Sequence, residues 1–255
     1  MDAVMARRIA LGLAVTAVLV VSGCSSGASG DSATTASPAP EVSLVPITPI
    51  EATNLGGTPL DKETLQRTAL TLIDLPADFD IAADPVEDLG LAPAPSTSDS
   101  DKSTTDPAAC AAVLAPIATQ IPGSTASITK MFTGPDFTSI DQDSASFADG
   151  AAAATAFRTM QETLASCAEY SGTDADGTTV SYRVGARHQP SVGDASFSYR
   201  IITTSEGFTL VADVVVAAVG TTLTQLSATA PTPIAPDVLG SMAVTAAQRL
   251  NVPTP

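Results

Sequence analysis

The chain has 255 residues, with 11 Lys and Arg against 27 Asp and Glu, one histidine, three cysteines and no tryptophan, for a formal net charge of -16. Such an excess of acid excludes partners that need clustered Lys and Arg, namely nucleic acid and anionic lipid headgroups. A single histidine, His188, and the lack of any CxxC pair exclude an ordinary zinc site, and the sequence calls for no cofactor.

In chain order, the N-terminus comes first. Arg7 and Arg8 precede 13 uncharged, mostly apolar residues, 9–21, and then Ser22, Gly23 and Cys24. A membrane-spanning helix needs about 20 such residues, so residues 1–23 read as an export signal and Val21-Ser22-Gly23-Cys24 as a lipobox. Cleavage would make Cys24 the first residue, carrying diacylglyceryl and palmitate chains. The competing reading is an ordinary secretory signal with an incidental Cys24. The adjoining stretch favours the lipid anchor: residues 25–49 are rich in Ser, Ala, Thr and Pro without apolar periodicity, the composition of a flexible tether. The tether is assigned to 24–59 and a folded domain to 60–252. Losing residues 1–23 leaves 9 basic and 26 acidic residues, a charge of -17.

In the domain, 61–74 reads as a helix capped by Asp61, with Leu65, Ala69, Leu72 and Ile73 inward. Residues 92–105 are rich in Pro, Ser, Thr and Asp and read as an exposed loop. A second helix is predicted from Asp106 as N-cap and Pro107 in the first turn to just before Pro122, with Cys110, Val113, Leu114 and Ile117 on its buried stripe. A third, 150–169, aligns Ala153, Phe157, Met160, Leu164 and Cys167. Both thiols face inward, so Cys110 and Cys167 are candidates for a disulfide in an oxidising compartment.

Alternating patterns predict strands at 126–132, 139–147, 178–188, 196–204, 208–219 and 222–229, the last four as an antiparallel meander. Residues 208–219 are apolar at almost every position, as in a central strand covered on both faces. A last helix, 237–250, presents Leu239, Met242, Ala243, Ala246 and Leu250. The expected fold is α+β: an antiparallel sheet of five to six strands with helices packed against it. If Glu206 and Gly207 form a two-residue turn, Arg200 faces Asp213, and the two form a structural ion pair. The alternative is an Asp213 that lines a ligand cleft.

No catalytic set emerges. Gly23-Cys24-Ser25-Ser26-Gly27 fits G-x-S-x-G but straddles the lipobox, not a strand-to-helix elbow. His188, Ser191 and Asp194 supply triad residue types within seven positions, too close in sequence to converge as nucleophile, base and orienter. Asp141 and Asp143 read as a solvated strand face. The run Asp174-Ala175-Asp176-Gly177 lacks the downstream bidentate acid of a calcium loop.

The chain also carries the short patterns Cys110-Ala111-Ala112-Val113-Leu114, Ser146-Phe147-Ala148-Asp149 leading into Ala154-Thr155-Ala156-Phe157, then Cys167, Val192-Gly193-Asp194-Ala195 and Val219-Gly220-Thr221. In these it resembles the PknH-type extracellular sensor domain, which occurs behind actinobacterial receptor kinases and in free-standing lipoproteins. The resemblance covers about residues 60–252 and implies an α+β domain with a ligand-binding cleft in the cell envelope. Members commonly carry two disulfides and a tryptophan before the long helix's cysteine; this sequence has neither, nor a kinase domain, so no site residue is carried over.

These readings converge on an extracellular lipoprotein anchored on the outer face of the cytoplasmic membrane. Its non-catalytic domain would bind or sense a small envelope ligand or an envelope protein. The alternative is a carrier of apolar molecules or lipids, motivated by the two apolar faces of 208–219.

Overall fold

The computed structural model describes residues 43–82 and 103–251. The signal segment, Cys24 and most of the 92–105 loop lie outside the described residues. A nine-stranded, wholly antiparallel sheet organises the fold, in the order β1-β3-β4-β9-β8-β7-β6-β5-β2. The strands are β1 (Asp80–Ile81), β2 (Thr104–Asp106), β3 (Ala126–Thr133), β4 (Ser139–Ser146), β5 (Glu169–Thr173), β6 (Thr179–Ala186), β7 (Ala195–Ser205), β8 (Phe208–Val219) and β9 (Thr222–Ala230).

Nine strands replace the five to six expected. The additions, β1, β2 and β5, have two, three and five residues and occupy or adjoin the edges. Backbone pairing holds them, as in Asp80 with Thr133 and Asp106 with Ser171, and side-chain alternation is too short to announce them.

Tight turns set the register of the meander. Glu206 and Gly207 have φ of 49° and 81°, the left-handed pair of a two-residue hairpin turn. Ser205 therefore pairs with Phe208, and Arg200 stands opposite Asp213. Strand β8 is only half the covered strand expected: Phe208 is exposed and 210–212 partly so, and burial is complete only between Asp213 and Val219.

One sheet face carries Tyr199, Ile201, Val214, Val216, Ala218 and Leu223. It packs against α3 (Gly150–Ser166), which buries Ala153, Phe157, Met160 and Leu164 and is capped by the Asp149 carboxylate on the N–H of Ala152. Cys167 at the C-terminus of α3 is disulfide-bonded to Cys110, and both are buried.

The segment holding Cys110 is not the α-helix expected. Ala108–Leu114 is a 3-10 helix with Pro107 at its N-cap after a cis Asp106-Pro107 bond, and α2 (Ile117–Gln120) follows. Pro116 cannot donate into a continuous helix. At three residues per turn Cys110 and Val113 share the buried side, and Leu114 rotates out to 52% exposure.

The opposite face carries Ile128, Phe132, Ile140, Val215, Ala217, Val219 and Leu226. It is covered by α1 (Lys62–Thr68) and α4 (Pro236–Leu250); α4 buries Leu239, Met242, Ala243, Ala246, Ala247 and Leu250. Asp61 caps α1 through Thr64 N–H at 2.7 Å. This helix is shorter than expected: it ends at Thr68, a separate 3-10 turn spans Leu72–Asp74, and Leu72 and Ile73 point outward. Gln142, buried between the strands, accepts the freed Leu70 N–H at 2.7 Å, and Arg249 donates to Ala69 C=O at 2.8 Å.

Residues 43–59, assigned to the tether, are built into the fold. Val45 bridges to Ala186 at the β6 edge, and Gln161, inside α3, makes reciprocal hydrogen bonds with Ile50 N–H and C=O at 2.9 and 3.0 Å. Ala52 is buried, and Leu60 N–H donates to Ser146 Oγ at 2.8 Å. The buried amide of Gln161 gains these backbone partners from the segment, which offsets the segment's low apolar content.

Candidate ligand groove

Helix α4 lies over β8 and β9, and its flank toward β7 does not reach the sheet edge. Asp237, Gly240, Ser241, Val244 and Thr245 recur there at helical spacing, and the connection from His188 to Val192 faces them. Together with Pro236 and the β8 floor residue Val215 they enclose an open groove of about 720 Å³, within the size range of small-molecule sites. Apolar groups dominate its walls: Pro190, Val192, Val215, Val244 and the bare backbone of Gly240. Gln189 Nε2 spans the upper end by donating to Pro236 C=O at 3.4 Å.

Gly240 contributes bare backbone to the groove wall. A Cβ there would stand 3.2 Å from Gln189 Oε1. Glycine inside a helix costs about 1 kcal/mol relative to alanine, and at this position it leaves groove volume in exchange.

Charge is concentrated along the same sheet face. Arg200 Nε and Nη2 donate to the two Asp213 carboxylate oxygens at 2.7 Å each, a bidentate pair of the strongest kind. Arg187 Nε lies 3.1 Å from Asp213 Oδ1 but lacks the alignment of a hydrogen bond and has no other partner. Two guanidiniums thus meet one carboxylate that is 3% exposed. Arg187 immediately precedes His188 of the groove wall. Its N–H donates to Ser198 C=O at 2.9 Å, and Ser198 pairs with Val215 of the floor.

Asp141 and Asp143 do not form a solvated face. They point toward the α3 side of the sheet, where Asp143 is buried and accepts from Thr129 Oγ1 at 2.6 Å. Tyr199 O–H donates to Gln225 Oε1 at 3.2 Å on the same face. Asp141 Oδ1 is buried without a partner. Burial foremost, with the neighbouring Asp143 charge, pushes the Asp141 carboxyl up to about 6, and burial also raises Asp143. Alternation in β4 is masked because both faces are covered; the mixture of Ile140, Gln142 and Asp143 gave no sign of it.

The other polar candidates have structural partners. Asp194 Oδ2 accepts the Gly220 N–H at 2.7 Å, bracing the β8–β9 turn, while His188 lines the groove. Asp174 Oδ1 accepts the N–H groups of Asp176 and Thr178, closing the β5–β6 turn. Among the described residues no group of three or more His, Cys, Asp or Glu is placed to hold a metal ion. Nor is any described helix long and apolar enough to cross a membrane. Sequence reasoning missed the groove because Gly240, Val244 and the 188–192 connection are distant in the chain; the one available signal was a glycine within an otherwise regular helix.

The architecture defines an α+β domain in which a nine-stranded antiparallel sheet is covered on both faces by helices. That is the fold of the extracellular domain of PknH from Mycobacterium tuberculosis, which superposes with a TM-score of 0.57 at 12% identity, over 76% of this chain and 98% of its own. An Rv0999 ortholog from Mycobacterium smegmatis is matched over 75% of this chain and 97% of its own at 13% identity, with a TM-score of only 0.36. No family model and no curated protein matches the sequence.

Proposed function

We propose that this chain is a cell-envelope lipoprotein, exported and held on the outer face of the cytoplasmic membrane through Cys24. Its domain is a non-catalytic binding or sensing module, and the groove beside α4 is its ligand site. The observation that carries the reading is the groove itself: a concave, largely apolar site walled in part by a helical glycine, in which the Ser241 hydroxyl on the wall donates to Val238 C=O. The likeness to the PknH extracellular domain and the buried disulfide support an extracellular setting. A ligand-dependent signal would pass to a separate envelope protein.

Two experiments test this. Cys24→Ser should move the protein from the membrane fraction to the medium; retention in the membrane contradicts the anchor. Protein isolated from the cells that export it, extracted with organic solvent and subjected to mass spectrometry, should yield a bound molecule that Gly240→Leu, which fills the groove, does not. Equal yields from both would place the ligand elsewhere.

The carrier reading requires an enclosed lumen. Both faces of the Asp213–Val219 half of β8 are instead filled by the side chains of α3 and α4, so transport would have to use the same open groove.

A further inference from the structure

We infer that the groove beside α4 takes a single-chain amphipathic anion, its apolar chain along Val192, Val215, Gly240 and Val244 and its anionic head against Arg187. The inference rests on the groove being the ligand site and adds the chemical class of what enters it.

Charge is the first consideration. The chain carries a net charge of -16, so an anion would be repelled from most of its surface, and a site for one needs a local reversal of sign. The Arg187, Arg200 and Asp213 cluster supplies it, with two fixed positive charges against one negative. Arg200 occupies both carboxylate oxygens, which leaves Arg187 as the surplus cation, its Nε desolvated and without a hydrogen bond. A buried donor of that kind gains most from a charged acceptor. Arg187 keeps 25% of its side chain exposed, so it can be reached from solvent.

Geometry then links the cation to the apolar walls. Arg187, Ser198 and Val215 lie in one row running from the end of β6 across β7 to β8, and adjacent strands are about 4.8 Å apart. The Arg187 guanidinium itself reaches across β7 to within 3.1 Å of Asp213 Oδ1, two residues along β8 from the floor residue Val215, so a head bound there is about 7 Å from the groove floor, a distance that an alkyl chain covers. Gln189, two residues beyond Arg187, donates to Pro236 C=O, so the Arg187 end of the groove is the end at which α4 begins. The exposed apolar side of Val244 is the kind of surface such a chain would cover.

The test is calorimetric titration of the exported protein with dodecanoate and with dodecanol, each below its aggregation limit, for the wild type, Arg187→Gln and Gly240→Leu, after melting curves establish that the variants are folded. The expected result is binding of dodecanoate at least tenfold tighter than dodecanol, loss of that preference in Arg187→Gln, and loss of both in Gly240→Leu. Equal binding of the two probes by wild type overturns the anionic class and leaves the groove as an apolar site. Binding of neither, or binding that Gly240→Leu leaves intact, overturns the groove reading itself. A preference that survives Arg187→Gln overturns the assignment of the head.

Discussion

Asp213→Ala removes the centre of the charge cluster that shapes the covered face of β7 and β8. The carboxylate is 3% exposed and Arg200 11% exposed, and the two are joined by two hydrogen bonds of 2.7 Å. A hydrogen bond to a charged group contributes about 1.5–3 kcal/mol, so the pair accounts for roughly 3–6 kcal/mol. Truncation also leaves two guanidiniums facing each other without a counter-charge. Breaking a buried ion pair by deleting one partner costs about 3–5 kcal/mol, and we expect a loss of about 4 kcal/mol. Urea denaturation should show it as a lower midpoint with an unchanged slope. Arg200→Met combined with Asp213→Leu removes both buried charges, leaves Arg187 to turn toward solvent, and should recover most of the loss. A loss under about 1 kcal/mol for Asp213→Ala, or a double variant no more stable than the single one, would refute the reasoning.

Three further outcomes are expected from the same structure. Replacing Cys110 and Cys167 with alanine opens a loop whose ends are 57 residues apart and should cost about 4 kcal/mol, measured by denaturation of the oxidised and variant proteins. Asp141 holds its proton more tightly when folded than when unfolded, so its contribution to stability falls as pH rises from 3.8 to about 6, with the full penalty above that. Asp141→Asn should raise the melting temperature above pH 6, and the gain should shrink toward about pH 4; a gain independent of pH contradicts the burial argument. Gly150→Ala drives a Cβ into the Leu55 carbonyl oxygen, and hydrogen exchange should show the 43–59 segment released from α3. Unchanged protection at Ile50 and Ala52 would mean that the contact does not hold the segment.

What could be read from the chain varied with how far each signal reached. The six longer strands are visible because strand-forming composition persists over eight or more residues between turn residues, and the Glu206-Gly207 turn sets the register of β7 on β8. The two-residue strand at Asp80 and the three-residue strand at Thr104 carry no period to detect. Residues 43–59 look like tether because their attachments are backbone groups meeting Gln161 and, just beyond at Leu60, Ser146, more than 80 residues away. Leu114 fits an α-helical stripe until Pro116 and the tighter 3-10 winding turn it outward. Arg200 and Asp213 were accessible through register arithmetic. The role of Arg187 was not, because its contact with Asp213 runs across β7 from the end of a strand that does not pair with β8.

The most direct test of the groove as the ligand site is amide chemical-shift mapping of the isotopically labelled domain during titration with dodecanoate. The account predicts perturbations confined to 187–192, Val215 and 237–245, abolished in Gly240→Leu. Shifts centred on the α3 face, or none in either segment at saturating probe, would contradict it.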